Sequence, residues 1–397
     1  MTVRADRIHI AFFGTRNSGK SSLLNAVAAQ DIAVVSDTKG TTTDPVYKSM
    51  EILPLGAVVL IDTPGFDDEG ELGEKRIQKT KEVLRKTDIA LLIIDSTNPE
   101  INSNKQFAKI LEEAKIPFIV VLNKEDIISE TEKQKLFEKF NSFKELVFVS
   151  SKDKQNIDNL KEIIANFFPQ ERKSNNILND ICNKNDFVVL VTPIDESAPK
   201  GRLILPQVQT IRNALDAHAV CVVCQVAELS ETLANLTKPP KIVITDSQAF
   251  SEVQKIVPKT VQLTSFSILL SNQKGFLTPS LEAMKHIKDL KDNDIILIAE
   301  GCTHHRQCGD IGTVKLPKMM KELTGKNLQF QFCSGNDFPI DLRKFAFVLH
   351  CGGCMINQKE IEYRIKSAEN QNVPFANYGT FIAFYTGILE RTTNFLK

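Results

Sequence analysis

The sequence lacks tryptophan, net charge, a signal-peptide pattern and any long apolar run, and these absences exclude several classes of function. Lys and Arg number 49 against 49 for Asp and Glu. No global field therefore draws the chain to nucleic acid or an anionic membrane, and nucleic acid is not an expected partner. A membrane span needs roughly 18 consecutive apolar residues, whereas the runs Phe187–Val191 and Ile295–Ala299 end within a few residues. Met1 leads through Arg4 and Asp6 straight into an apolar strand, which predicts a soluble cytoplasmic protein. Internal repeats and low-complexity tracts are also missing. What is present is a globular composition, 42% hydrophobic and 25% charged over 397 residues. At roughly 100 to 200 residues per domain this fills two to four domains. Eight Cys in a reducing compartment read as metal binding or redox chemistry ahead of disulfides.

Short apolar runs alternate with longer amphipathic segments from Ile8 to Phe168, the pattern of βαβ units around a parallel sheet. Strands are expected at Ile8–Phe13, Ala57–Asp62, Ile89–Asp95, Pro117–Leu122 and Leu146–Val149, with helices such as Ser21–Gln30 and Glu74–Lys86 between them. The polar stretch 171–185 reads as a linker. Beyond it, strands at Phe187–Val191, Val220–Val223, Lys241–Thr245 and Val261–Thr264 with a helix at Gln207–Ala217 make a smaller α/β domain. A third follows, with strands Ile295–Ala299, Leu328–Phe332 and Phe345–Leu349 and helices Leu316–Leu323 and Ile356–Glu369. The expected organisation is therefore α/β throughout: a P-loop domain over 1–170 with a mostly parallel sheet, then domains at 186–265 and 266–397.

Gly14-Thr15-Arg16-Asn17-Ser18-Gly19-Lys20-Ser21 follows the first strand and opens a helix that continues through Ser22. This is the P-loop spacing and context. Its glycines let the backbone N–H groups, Ser18 among them, face phosphates, the helix N-terminus adds its dipole, Lys20 reaches the β- and γ-oxygens, and Ser21 ligates magnesium. Asp62-Thr63-Pro64-Gly65 after a second strand supplies Asp62 for magnesium through water and the Gly65 N–H for the γ-phosphate. In Asn123-Lys124-Glu125-Asp126, the Asp126 carboxylate can accept both guanine N1–H and N2–H, which adenine lacks, so GTP is the expected nucleotide. Ser150-Ser151-Lys152 closes the base pocket.

This ordered set resembles the translation-factor-like GTPases of the Era and MnmE type over the first 170 or so residues. Gly40-Thr41-Thr42-Thr43-Asp44 looks like that group's switch segment, and the resemblance implies Thr42, or its neighbours Thr41 or Thr43, as the switch ligand of magnesium and γ-phosphate. Phe66 stands where Ras-like enzymes keep a water-orienting Gln, so slow intrinsic hydrolysis is expected. In MnmE-like relatives a potassium ion stands in for an arginine finger, and its P-loop Asn ligand matches Asn17.

Cys302-Thr303-His304 and His350-Cys351-Gly352-Gly353-Cys354 each lie just past a strand, at the sheet edge where open α/β folds bind ligands. Three thiolates, Cys302, Cys351 and Cys354, suit zinc or an iron–sulfur cluster, with His304 or His350 as a possible fourth ligand. Spacing leaves both metals open. Cys221 and Cys224 read as strand residues on opposite faces, in the core. Cys182, Cys308 and Cys333 have no partner at ligand spacing, and His9, His218 and His286 read as ordinary structural or surface residues.

The whole arrangement, with Asp310-Ile311-Gly312 after the first Cys turn, resembles the HydF family of FeFe-hydrogenase maturation GTPases. That resemblance implies a 4Fe-4S cluster on the three Cys and a homodimer formed by the middle domain. It also implies a scaffold role for a diiron precursor, received from radical-SAM maturases and passed to apo-FeFe-hydrogenase. Two alternatives stand beside it: a ribosome- or tRNA-associated GTPase, and a regulatory GTPase stabilised by zinc.

Overall fold

The structure, a computed structural model, describes residues 7–28, 45–53, 55–65, 79–167, 177–178, 181–194, 203–301, 310–335 and 337–396. The chain forms two compact units, Met1–Arg172 and Lys173–Lys397. No described helix is long and apolar enough to cross a membrane.

In the first unit six strands run in the order β2-β3-β1-β4-β5-β6: β1 Ile8–Gly14, β2 Val46–Ile52, β3 Gly56–Asp62, β4 Ile89–Asp95, β5 Phe118–Asn123 and β6 Leu146–Val149. All neighbours pair parallel except β2, which lies antiparallel along the edge of β3. The β1, β4 and β5 strands are near-continuous apolar runs because both sheet faces are covered. Ile10, Phe12 and Leu60 pack on one side with Leu23 and Leu160, and Ala11, Phe13 and Ile61 pack on the other with Phe107 and Phe140. The expected strands hold to within a residue or two, but β2 was not anticipated, because its exposed positions dilute the apolar pattern. The first helix is described as Lys20–Ala28 and the second at 79–84. The rest of the expected helix 74–86 before residue 79 lies outside the described residues.

The second unit holds two four-stranded sheets, every pair in them parallel. One has the order β10-β9-β7-β8, with β7 Phe187–Val191, β8 Val220–Cys224, β9 Ile242–Thr245 and β10 Gln262–Ser265. The other has the order β12-β11-β13-β14, with β11 Ile295–Glu300, β12 Gln329–Ser334, β13 Phe347–His350 and β14 Phe375–Asn377. One apolar cluster joins them, with Val243, Phe250 and Leu263 of the first half packed with Ile298, Leu349 and Phe381 of the second. The final helices fold back across the border: Arg391 donates to the carbonyls of Val257 and Pro258, both at 2.9 Å, and the Thr264 hydroxyl donates to Thr392 O at 2.9 Å. Cys221 and Cys224 do face opposite sides of the sheet, each against a different apolar cluster. They are corrected from core to half-buried, since β8 is an edge strand on which Val220 and Val223 stand 42% and 44% exposed.

Candidate functional site

The nucleotide site is assembled at the carboxyl ends of β1, β3, β5 and β6. Gly14 ends β1 where an added Cβ would lie 2.3 Å from Ile93 O, and Gly19 takes φ +90° where a Cβ would lie 2.2 Å from Asn123 Nδ2. Only glycine fits these two places. Lys20 is folded onto its own loop, donating to Gly14 O at 3.0 Å and Thr15 O at 2.7 Å. The Ser21 hydroxyl donates to Asp62 Oδ2 at 2.5 Å, while Asp62 Oδ1 and Ser18 Oγ are buried with no hydrogen-bond partner among the described residues. Burial pushes the Asp62 carboxyl up, against the pull of Ser21 and Lys20. A buried carboxylate oxygen with free lone pairs beside a serine hydroxyl supplies hard oxygen donors of the kind magnesium takes together with phosphate and water. Asn17 stands exposed in the left-handed region, φ 63°.

Asn123 links the phosphate loop to the base loop: its Nδ2 donates to Ser18 O at 3.0 Å and its Oδ1 accepts from Ser151 N at 3.1 Å. Lys124 pairs with Asp95, whose carboxyl is held below the usual range by Lys124 and Thr97 although its burial opposes this. Asp126 accepts from the Ser150 hydroxyl at 2.6 Å, which itself accepts from Asp153 N. Lys152 follows in the same turn, and Gly65 is half-buried just past β3. Thr42, its neighbours Thr41 and Thr43, and Phe66 lie outside the described residues.

The cysteine turn lies at the carboxyl end of the β11–β13 pair. Register pairs Ala299 with His350, and Cys351 N donates to Ala299 O at 2.9 Å. The Cys351 sulfur accepts from Gly301 N at 3.1 Å and Gly353 N at 3.4 Å. Burial pushes the Cys351 thiol up and those two N–H donors pull it down. Gly353 turns in the left-handed region, φ 64°, where a Cβ would lie 2.8 Å from Ile361 Cδ1. Cys354 is half-buried. Cys302, His304 and Cys308 lie outside the described residues, and among the described ones no three His, Cys, Asp or Glu side chains group as a metal site.

His350 is corrected as a candidate ligand. The strand β13 extends one residue further than expected and carries it into the core, 0% exposed among Phe276, Phe338 and Phe375. Its Nδ1 bonds Cys351 O at 2.7 Å and its Nε2 accepts from Arg364 at 2.9 Å, so both nitrogens are engaged. Burial, with Arg364 beside it, pushes its pKa down to about 3. Sequence reasoning also missed Glu300, Tyr378, Lys274 and Arg364 around this turn. Glu300 ends β11 with its carboxyl 2.7 Å from where a Gly312 Cβ would sit, and Tyr378 Oη lies 3.2 Å from the same point, buried with no hydrogen-bond partner among the described residues. A buried polar group next to a thiol turn was the available signal, but it needs the fold to be seen. Cys333, the last residue but one of β12, lies near Cys351 and Glu300, its thiol pushed up to about 11 by burial. His9 bonds Arg7 O, and His286 pairs with Asp289 at the surface.

The N-terminal GTPase model described as a 50S ribosome-binding GTPase matches residues 9–124. GTPase Der of Wolinella succinogenes is 38% identical over 185 residues, 45% of this chain and 39% of that protein. GTPase Era of Heliobacterium modesticaldum is 29% identical over 165 residues, 41% of this chain and 55% of that protein. The chain thus spans about half or less of the length of these two relatives. A solved structure of an Aquifex aeolicus Era variant bound to GDP and AlF4− matches 41% of this chain and 57% of that one, with 26% identity and a TM-score of 0.37. The hydrogen maturase F dimerization domain matches residues 177–275 and the hydrogen maturase F tetramerization domain residues 278–395. With those two domains covering more than half of the chain behind a GTPase domain, the chain belongs to the hydrogen maturase F family.

Proposed function

We propose that the chain binds and hydrolyses GTP with its first unit and holds a 4Fe-4S cluster on Cys302, Cys351 and Cys354 with its second. In this reading it serves as scaffold and carrier for the diiron precursor of FeFe-hydrogenase, received from radical-SAM maturases and passed to the apo-enzyme. One observation carries the cluster reading: the Cys351 sulfur already accepts two backbone N–H groups at the carboxyl edge of a parallel sheet. Such donors favour a thiolate in a place where burial alone disfavours it. Three protein thiolates would hold such a cluster with one iron open to an exchangeable ligand. With both nitrogens of His350 engaged, His304 or an outside group would be left for that position.

On the GTP side, Lys20 leaves the Gly14 and Thr15 carbonyls for the β- and γ-phosphates, Ser21 ligates magnesium, and the open oxygen of Asp62 takes a magnesium-bound water. Asp126 accepts from guanine. Thr42 and Gly65 sense the γ-phosphate, and Asn17 would be the ligand for a potassium ion whose charge would assist hydrolysis. Loss of that phosphate releases the two switch contacts, which gates partner exchange. The homodimer forms within 186–265, where β8, the apolar edge strand of its sheet among the described residues, would pair with a second copy.

Anaerobic iron and sulfide reconstitution followed by metal analysis and EPR of the reduced protein tests this reading. About four irons per chain with a signal lost in Cys302→Ala supports it. About one zinc and no signal replaces it with the zinc-stabilised GTPase. Turnover at equal rates in sodium and potassium removes the potassium step, and a Lys20→Ala chain that exchanges partners normally removes the gating step.

A further inference from the structure

Behind the cysteine turn stand two buried cations. Lys274, 5% exposed, follows the helix Phe266–Gln273 and donates its ammonium to Gly353 O at 2.5 Å and Ile356 O at 2.7 Å. These two carbonyls bracket Cys354, so one side chain fixes the far half of the turn. Arg364, 0% exposed on the helix Gln358–Glu369, fixes the near half. Its Nη1 donates to His350 Nε2 at 2.9 Å, and His350 Nδ1 in turn bonds Cys351 O at 2.7 Å. Its Nε donates to Glu360 Oε1 at 2.9 Å and its Nη2 to Gly335 O at 2.6 Å, while its face lies 4.8 Å from the Phe338 ring.

Burying a charge is costly unless something offsets it. Glu360 does so for Arg364, and two carbonyl dipoles contribute for Lys274. Both cations reach the same turn, Lys274 through the Gly353 and Ile356 carbonyls and Arg364 through the His350 ring to the Cys351 carbonyl. An iron–sulfur cluster on three thiolates is net negative when oxidised and more so when reduced, so a nearby cation favours its binding and its reduction.

We propose that Lys274 and Arg364 are positioning residues for the cluster, holding the Cys351–Cys354 turn from behind and supplying positive charge beside it. The proposal rests on the cluster reading above. It separates geometry from charge at one position. Lys274→Gln keeps two N–H donors but loses the charge, and Lys274→Met loses both. Arg364→Lys keeps the charge but loses the fork that reaches His350.

The full chain and these three variants are reconstituted anaerobically. Iron per chain, the EPR-monitored reduction potential and the circular dichroism of the iron-free form are then compared. The expected result is wild-type iron content with a more negative potential in Lys274→Gln, and at least a twofold loss of iron in Lys274→Met. Arg364→Lys should lose iron while the potential of what remains stays close to that of the wild type. Lys274 variants with full iron at the wild-type potential would overturn the proposal. So would variants that have already lost their helical signal without iron, because the role is then only structural. A wild-type chain that takes up no iron overturns the cluster reading itself.

Discussion

In the proposed reading, nucleotide choice turns on Asp126. An Asn there replaces one acceptor with a donor, which mismatches guanine N1–H and N2–H but suits the C2 carbonyl of xanthine. Asp126→Asn is therefore expected to weaken GTP binding by roughly a hundredfold or more and to improve XTP binding, as titration of the two nucleotides would read. At Gly19 the obstacle is steric: a Cβ at φ +90° and 2.2 Å from Asn123 Nδ2 breaks the link between phosphate loop and base loop. Gly19→Ala should abolish nucleotide binding and cost about 1–3 kcal/mol, read from melting of the nucleotide-free protein. Cys182 gives a pH test. Burial raises its thiol to about 11, so above the ordinary thiol value of 9.0 the unfolded chain sheds a proton that the folded chain keeps. Its contribution is complete below that value and is lost as pH rises towards 11, by at most about 1.4 kcal/mol per pH unit. Denaturation between pH 8 and 11 should show a shallower loss in Cys182→Ala. The phosphate-loop and base-loop residues could be read from the chain because each is a local spacing. Lys274 and Arg364 could not, since each meets its turn through tertiary packing.

Elements differ in how openly their sequence announces them. The β4 run Ile89–Asp95 is buried on both faces and reads as a strand from hydrophobicity alone. By contrast β2, Val46–Ile52, is a half-exposed edge whose Lys, Ser and Glu hide it, and only its pairing with β3 defines it. The one-residue extension of β13 was equally invisible, yet it decides the fate of His350. The two edges of the first sheet in the second unit are unequal. The final helices lie against β10, anchored by the Thr264–Thr392 contact, whereas β8 carries exposed Val220 and Val223. If β8 is the dimer edge, Val223→Lys should convert the dimer to monomers in sedimentation while iron uptake persists. In the first unit, Ser129 caps the helix Glu130–Phe140 reciprocally with Glu132, and Ser129→Ala should lower stability by about 1 kcal/mol.

At the scale of the molecule, the chain divides into the units Met1–Arg172 and Lys173–Lys397, each with apolar clusters of its own among the described residues. Calorimetry should accordingly resolve two transitions, of which magnesium and a non-hydrolysable GTP analogue raise one and leave the other in place. The α/β class was legible in the alternation of strands and helices. The shared core of the two later sheets was not, because periodicity tells which face of an element is apolar and not which element it meets. The closing contacts of that core also govern how the chain reaches its shape. Thr264 meets Thr392 across 128 residues, and Arg391 meets Gln254 across 137. Contacts so distant in sequence form late, so the second unit is expected to fold slowly. Until they close, the thiols at 351 and 354 have neither their turn nor their cations, and on the proposed cluster reading iron offered then would meet loose ligands in place of a site. The timing of metal supply relative to folding, rather than affinity alone, would then decide how much of the protein is correctly loaded.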